Sequence, residues 1–179
     1  MCGLDFHEQI EALMDIEAFD EVVGRLNEPG ALDPDDFLSN WNLGWAYFKL
    51  NRFENSLPWL ERSVHLEPSQ FAGHFALGVA LEALGQLEEA ESSLRRALAL
   101  RDSGMARQAL AVVLMEKGEF AVAERIHLDG LEVSPGSANR WDGYADFLYD
   151  TGRLEEAEAA RAKALNFADS PEAADDDED

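Results

Sequence analysis

The side chains with most chemistry to offer are few. Glu124-x-x-His127 sets a carboxylate and an imidazole three residues apart, on one face of a helix. That is the donor spacing of a carboxylate-bridged di-iron centre, where two such pairs and further inward-facing glutamates share the metals. One copy is present, so the remaining ligands are missing. His7 and Glu11 lie four apart on one helix face, a weak metal pair, and His65 and His74 have no convincing partner. Cys2 is the only cysteine. A single thiol gives neither a disulfide framework nor a thiolate cage. There is no phosphate-binding glycine loop, no G-x-S-x-G and no H-E-x-x-H. The expectation is a chain that is not an enzyme, binds no metal and carries no cofactor.

Met1-Cys2-Gly3 resembles the start of class II glutamine amidotransferases, and that resemblance implies that removal of Met1 would expose Cys2 as a nucleophile. It also implies a β-rich domain, and no segment alternates with the two-residue period of a strand. The reading here is an unstructured terminus.

The elements available to position any site are set by composition. The chain has 179 residues, 46% of them hydrophobic, enough for a core. No apolar run approaches the roughly 18 residues of a membrane-spanning helix, and the N-terminus lacks the basic region of a secretory signal. A cytoplasmic protein is expected. Asp and Glu number 37 against 14 Lys and Arg, and seven of the acids lie in the last eleven residues, DSPEAADDDED. Phosphate-backbone binding needs basic surface, so nucleic acid and anionic membranes are not expected partners.

The chain repeats itself. Gly44, Gly78, Ala111 and Ala145 form a column of small residues spaced 34, 33 and 34 apart. Three residues beyond each stands Tyr47, Leu81, Leu114 or Leu148, and seven beyond stands Asn51, Gly85, Gly118 or Gly152. Further on, Ser56, Ala90, Ala123 and Ala157 form another small column, and Pro68, Asp102, Pro135 and Asp169 a terminating one. Each unit reads as helix, turn, helix. The Asn/Gly column supplies the left-handed residue that ends the first helix, and proline stops the second. Pro58 is placed near the first turn of its helix, where proline is tolerated. A small residue in the first helix lets the antiparallel second helix approach closely.

These columns resemble the tetratricopeptide repeat, whose signature is W-x2-L-G-x2-Y, A-x3-F and P. Here it runs Asn40-x2-Leu43-Gly44-x2-Tyr47, Ser56-x3-Leu60 and Pro68, then His74-x2-Leu77-Gly78-x2-Leu81 and Ala90-x3-Leu94. It returns as Trp141-x2-Tyr144-Ala145-x2-Leu148 with Ala157-x3-Arg161. The resemblance implies an all-α fold, a right-handed superhelix of antiparallel helix pairs. Repeats are placed at 37–70, 71–103, 104–137 and 138–171. A degenerate N-terminal cap takes 1–36, with Glu17 where the others have a capping Asn or Gly, and a disordered acidic tail takes 172–179.

The family resemblance further implies that first helices line a concave, partner-binding groove. On the first repeat, Leu38, Trp41, Trp45 and Phe48 form one helical stripe, with Asn42 in a neighbouring position. Equivalent positions are Phe75 and Val79, then Gln108, Val112 and Met115, then Asp142, Asp146 and Tyr149. The groove is thus expected to be aromatic at its centre and acidic at its ends, with Glu116 and Asp150 adding to the acid. One subclass of the family grips a peptide carboxylate with a basic clamp. Its positions here hold Trp41, Trp45, Ala76, Met105 and Ala109, none of them basic, so that function is not inherited. The expected activity is a protein–protein interaction module, an adaptor or chaperone that binds an apolar, basic-flanked peptide. The alternative is a self-assembly module that forms homo-oligomers through the aromatic patch or the last repeat.

Overall fold

The computed structural model describes residues 5–168. The readings made for Cys2 and for the acidic tail fall outside these residues. Ten α-helices and no strand are found among the described residues. The chain divides into two compact units, Met1–Leu100 and Arg101–Asp179.

The first unit holds three helix pairs. They are α1 (Phe6–Asp15) with α2 (Phe19–Leu26), α3 (Phe37–Lys49) with α4 (Phe53–Leu66), and α5 (Phe71–Ala83) with α6 (Leu87–Leu100). The second unit holds α7 (Gly104–Glu116) with α8 (Phe120–Val133) and α9 (Ala138–Asp150) with α10 (Leu154–Ala168). Within each unit the second helix of one pair packs on the first helix of the next, α2 on α3, α4 on α5 and α8 on α9. First helices also touch one another, α1 with α3, α3 with α5, and α7 with α9.

The turn between the helices of a pair has one construction, used five times. Glu17, Asn51, Gly85, Gly118 and Gly152 all have positive φ, between 55° and 78°. The next residue's N–H reaches back to the carbonyl of Leu13, Tyr47, Leu81, Leu114 or Leu148, at 2.7 to 2.9 Å. This is the Schellman arrangement, which satisfies carbonyls that the ending helix would orphan. Glu17 adopts it although its Cβ makes that conformation unfavourable.

The small column holds the pairs together. A Cβ built on Gly44 would lie 2.7 Å from Cγ and Cδ2 of Leu60 and 3.1 Å from its backbone N. At Gly78 the same atom would lie 2.6 Å from Leu94 Cγ. Leu60 and Leu94 are fully buried, so α4 and α6 approach to a distance that only glycine permits.

The signature tryptophan column keeps its hydrogen bond while changing its residue. Asn40 Nδ2 donates to the Pro34 carbonyl at 3.2 Å, and Trp141 Nε1 donates to that of Pro135 at 2.8 Å. His74 Nε2 lies 3.0 Å from the Pro68 carbonyl. The proline that stops one helix leaves its carbonyl to be claimed six residues later. The remaining pair has Asp102 in place of proline, and there Arg107 Nε donates to the Asp102 carboxylate at 2.7 Å.

Pro58 differs from the sequence expectation. It is the sixth residue of α4, past the first turn, and supplies no N–H for the carbonyl of Glu54 four residues earlier.

Candidate functional site

The α3 stripe begins at Leu38, which is exposed, and continues through Trp41, Trp45 and Phe48, all half-buried. Spacings of four and three residues put them on one helical row. The rings form a ladder. Trp41 and Trp45 lie 6.1 Å apart at 7°, Trp45 and Phe48 lie 5.0 Å apart at 20°, and Phe48 leans on Phe53 at 5.5 Å. On α5, Phe71 stacks on Phe75 at 5.6 Å, and Phe75 and Val79 are half-buried.

The indole groups have different tasks. Trp41 Nε1 donates to the Ala72 carbonyl at 3.2 Å, tying α3 to the start of α5. Trp45 has no hydrogen-bond partner among the described residues, although its N–H is an obligatory donor when desolvated. Trp41 therefore serves the packing of the unit, while Trp45 presents an unclaimed donor on the same stripe.

Asn42 corrects the sequence reading. Only 6% of it is exposed. One residue on from Trp41 the helix turns by about 100°, and Asn42 falls on the buried row Ser39, Asn42, Ala46. Ala46 belongs to the cluster of Ile10, Val22, Val23, Leu26 and Leu43, so this row faces the N-terminal pair.

In the second unit Gln108 and Val112 are exposed on α7, and Met115 is half-buried. Asp142 and Asp146 on α9 both pair with Arg161 of α10, at 3.6 and 2.5 Å. Tyr149 is 62% exposed. The carboxylates read as an acidic end are thus partly neutralised within their own helix pair, while Glu116 and Asp150 have no partner among the described residues.

The residues with metal-ligand spacing are occupied otherwise. Glu124 accepts from the Tyr144 hydroxyl at 3.0 Å and from Arg153, whose hydrogen bond holds the carboxyl below its usual range. His127 is buried, its ring 5.5 Å from Phe147 and 6.0 Å from Tyr144. Burial, with the Arg107 charge adding to it, lowers its pKa to about 4. No group of three His, Cys, Asp or Glu side chains suited to a metal is found among the described residues. His65 and His7 are exposed.

Sequence reasoning missed one cluster. Arg107 and Arg140 both pair with Asp102, at 2.7 and 3.3 Å, and donate to the carbonyls of Ile126 and Gly130 on α8. Gly130 makes the room, since a Cβ there would lie 2.8 Å from Arg107 Cδ. The available signal was an arginine in the signature tryptophan column.

Comparison with known proteins bears on the fold. A family profile described as tetratricopeptide repeat matches residues 16–71, 42–104 and 75–138. A crystal structure of MamA aligns with a TM-score of 0.72 and 20% identity, covering 93% of this chain and 96% of that one. TTC0263, described as a thermophilic TPR protein in Thermus thermophilus, aligns with a TM-score of 0.74 and 23% identity, covering 93% and 92%. Both show the same all-α solenoid fold. The search of curated proteins gives no match. No helix among the described residues is long and apolar enough to cross a membrane. With a profile matched over most of its length and repeated helix pairs throughout, the chain belongs to the tetratricopeptide repeat family, whose members act as protein–protein interaction modules.

Proposed function

We propose that the chain is a non-enzymatic adaptor or chaperone whose α3–α5 face takes an apolar, basic-flanked peptide segment of a protein partner. The observation that carries this is the half-exposed Trp41–Trp45–Phe48 ladder, with the Trp45 N–H unclaimed. An apolar patch of stacked aromatics at the surface marks an interaction site. Trp45 supplies both buried area and a donor for a peptide carbonyl, the combination that enriches tryptophan at hot spots. Leu38, Phe75 and Val79 extend the same surface. Gln108, Val112 and Met115 offer a second strip on α7, with Tyr149, Asp142 and Asp146 on α9.

Charge supports the flanking bases. At least eleven of the 14 Lys and Arg side chains are in ion pairs with carboxylates of the chain itself. The uncommitted charge is therefore acidic, which favours encounter with a cationic segment.

Selection of displayed random peptides on the full chain tests the reading. Enriched sequences should combine apolar residues with Lys or Arg at one end. Trp45→Ala should weaken their binding about thirtyfold and leave the circular dichroism unchanged. Unfolding of Trp45→Ala would make this residue part of the core, and enrichment of acidic peptides would overturn the charge argument.

A further inference from the structure

The second unit ends in a face that its own columns show to be a seat for a helix. In the first unit Val64 of α4 lies under α5, where a Cβ on Gly73 would be 3.3 Å from Val64 Cγ2. The same column gives Leu131, on α8, which is 7% exposed beneath the helix pair that follows. One repeat on, the column gives Leu165 on α10, and Leu165 is 65% exposed. Tyr149 and Leu154, 62% and 55% exposed, extend the apolar surface beside it. Tyr149, Leu154, Ala157, Glu158 and Arg161 line a hollow of about 250 Å³. The Val64–Leu131–Leu165 packing column continues onto this face, and no helix among the described residues covers it.

Charge selects the occupant. Every base of the α9–α10 pair is committed. Arg140 pairs with Asp102, Arg153 with Glu124 and Glu156, Arg161 with Asp142 and Asp146, and Lys163 sits 4.0 Å over the Trp141 ring. Glu155 and Glu158 are exposed and have no partner among the described residues. The chain's own residues 169–179 carry seven carboxylates and no large apolar side chain, so they match neither the apolar nor the charged part of this face. A second copy fits poorly as well. The chain carries a formal −23, and its leading helix α1 is bordered and studded by Asp5, Glu8, Glu11 and Asp15.

We propose that the α9–α10 end face seats a basic amphipathic helix of another protein, its apolar stripe on Tyr149, Leu154 and Leu165 and its Lys or Arg side chains against Glu155 and Glu158. The bound helix takes the place that the first helix of a following repeat takes at the inner pairs.

The probe is a synthetic peptide of about five helical turns, roughly 18 residues, with Leu at i, i+3, i+4 and i+7 positions and Lys on both flanks. Its binding to the full chain is followed by fluorescence anisotropy at moderate salt. Leu154→Asp and Leu165→Asp should each weaken it about tenfold or more, since each removes a leucine's burial. Both substitutions add negative charge, so purely Coulombic attachment of the peptide would strengthen instead. Glu158→Lys should also weaken binding. A Trp45→Ala background takes the aromatic face out of the measurement, and the losses caused by the end-face substitutions should persist in it. Affinity that is unaltered or raised by the two leucine substitutions overturns the proposal. So does the absence of any peptide binding in the Trp45→Ala background. Sedimentation velocity of the chain by itself supplies the last arm: a dimer that Leu165→Asp dissolves would assign the face to a second copy and refute a foreign helix.

Discussion

His127 turns a packing position into a pH-dependent one. It stands sixteen residues after Ala111, as Leu60 stands after Gly44 and Leu94 after Gly78. Arg107 and Arg140 border the same small hollow as its ring, and Glu124 is the one carboxylate that acts to favour its protonation. Burial outweighs that carboxylate and brings the folded pKa from 6.5 to about 4. Above pH 6.5 the imidazole is neutral in both states and contributes no pH dependence. As pH falls from 6.5 towards 4, the unfolded chain binds a proton that the folded chain refuses, so stability drops. Below about 4 both states are protonated and the loss levels off. At 1.36 kcal/mol per pKa unit, the full drop is about 3 kcal/mol. His127→Leu restores the leucine of the other pairs and removes this dependence. Urea unfolding of both proteins at a series of pH values from 7.5 to 4 isolates it, because the carboxylates titrate alike in each. The stability difference between variant and parent should widen steadily below pH 6.5, by about 3 kcal/mol in total. A difference that stays constant over this range would show that His127 protonates freely in the fold, and the burial argument would fail.

Two further outcomes follow from backbone geometry. Gly44→Ala gains about 1 kcal/mol of helix propensity but drives its Cβ into Leu60, an overpacking cost of about 1–3 kcal/mol. Chemical denaturation should show net destabilisation that disappears in a Leu60→Ala background, and stabilisation by Gly44→Ala alone would contradict the close approach. Glu17→Gly relieves a left-handed non-glycine residue and should raise stability by about 1 kcal/mol, since the Lys49 pair it gives up is long and exposed, at 3.9 Å. A thermal midpoint that falls instead would show that Glu17 is held there by something other than the cap.

Much of this architecture is written in the sequence because it repeats. A turn that needs a left-handed residue every 33 or 34 positions leaves a visible column of Asn51, Gly85, Gly118 and Gly152. A helix crossing too tight for a Cβ leaves Gly44 and Gly78. The parts that stayed hidden depend on which way one helix leans on another. The burial of Asn42 follows from the N-terminal pair covering the Ser39–Asn42–Ala46 row, and that contact has no period of its own. Trp41 reads as a free aromatic until the carbonyl of Ala72 is placed beside it. The pairing of Arg161 with Asp142 and Asp146 joins α10 to α9 through long side chains whose reach no spacing rule fixes.

The signature tryptophan column shows why residue identity is a poorer guide than the group it must satisfy. Asn40, His74 and Trp141 share little in size or hydropathy, yet each sets a polar ring or amide nitrogen against the carbonyl of a proline six residues earlier. The selected property is a nitrogen at the right height above a helix stop. Where the proline is replaced by Asp102, the column carries Arg107, and a charged donor meets a charged acceptor. The small column and its facing residue behave in the same way. Leu60 and Leu94 face Gly44 and Gly78 and leave no space for a Cβ, whereas the pairs with Ala111 and Ala145 have His127 and Arg161 in the leucine's place. Each pair is thus a joint solution for two positions sixteen residues apart. At the last pair that solution places Arg161 in the open and commits its charge to Asp142 and Asp146. Among the described residues, Leu154 and Leu165 are left uncovered, and Glu155 and Glu158 beside them have no counter-charge.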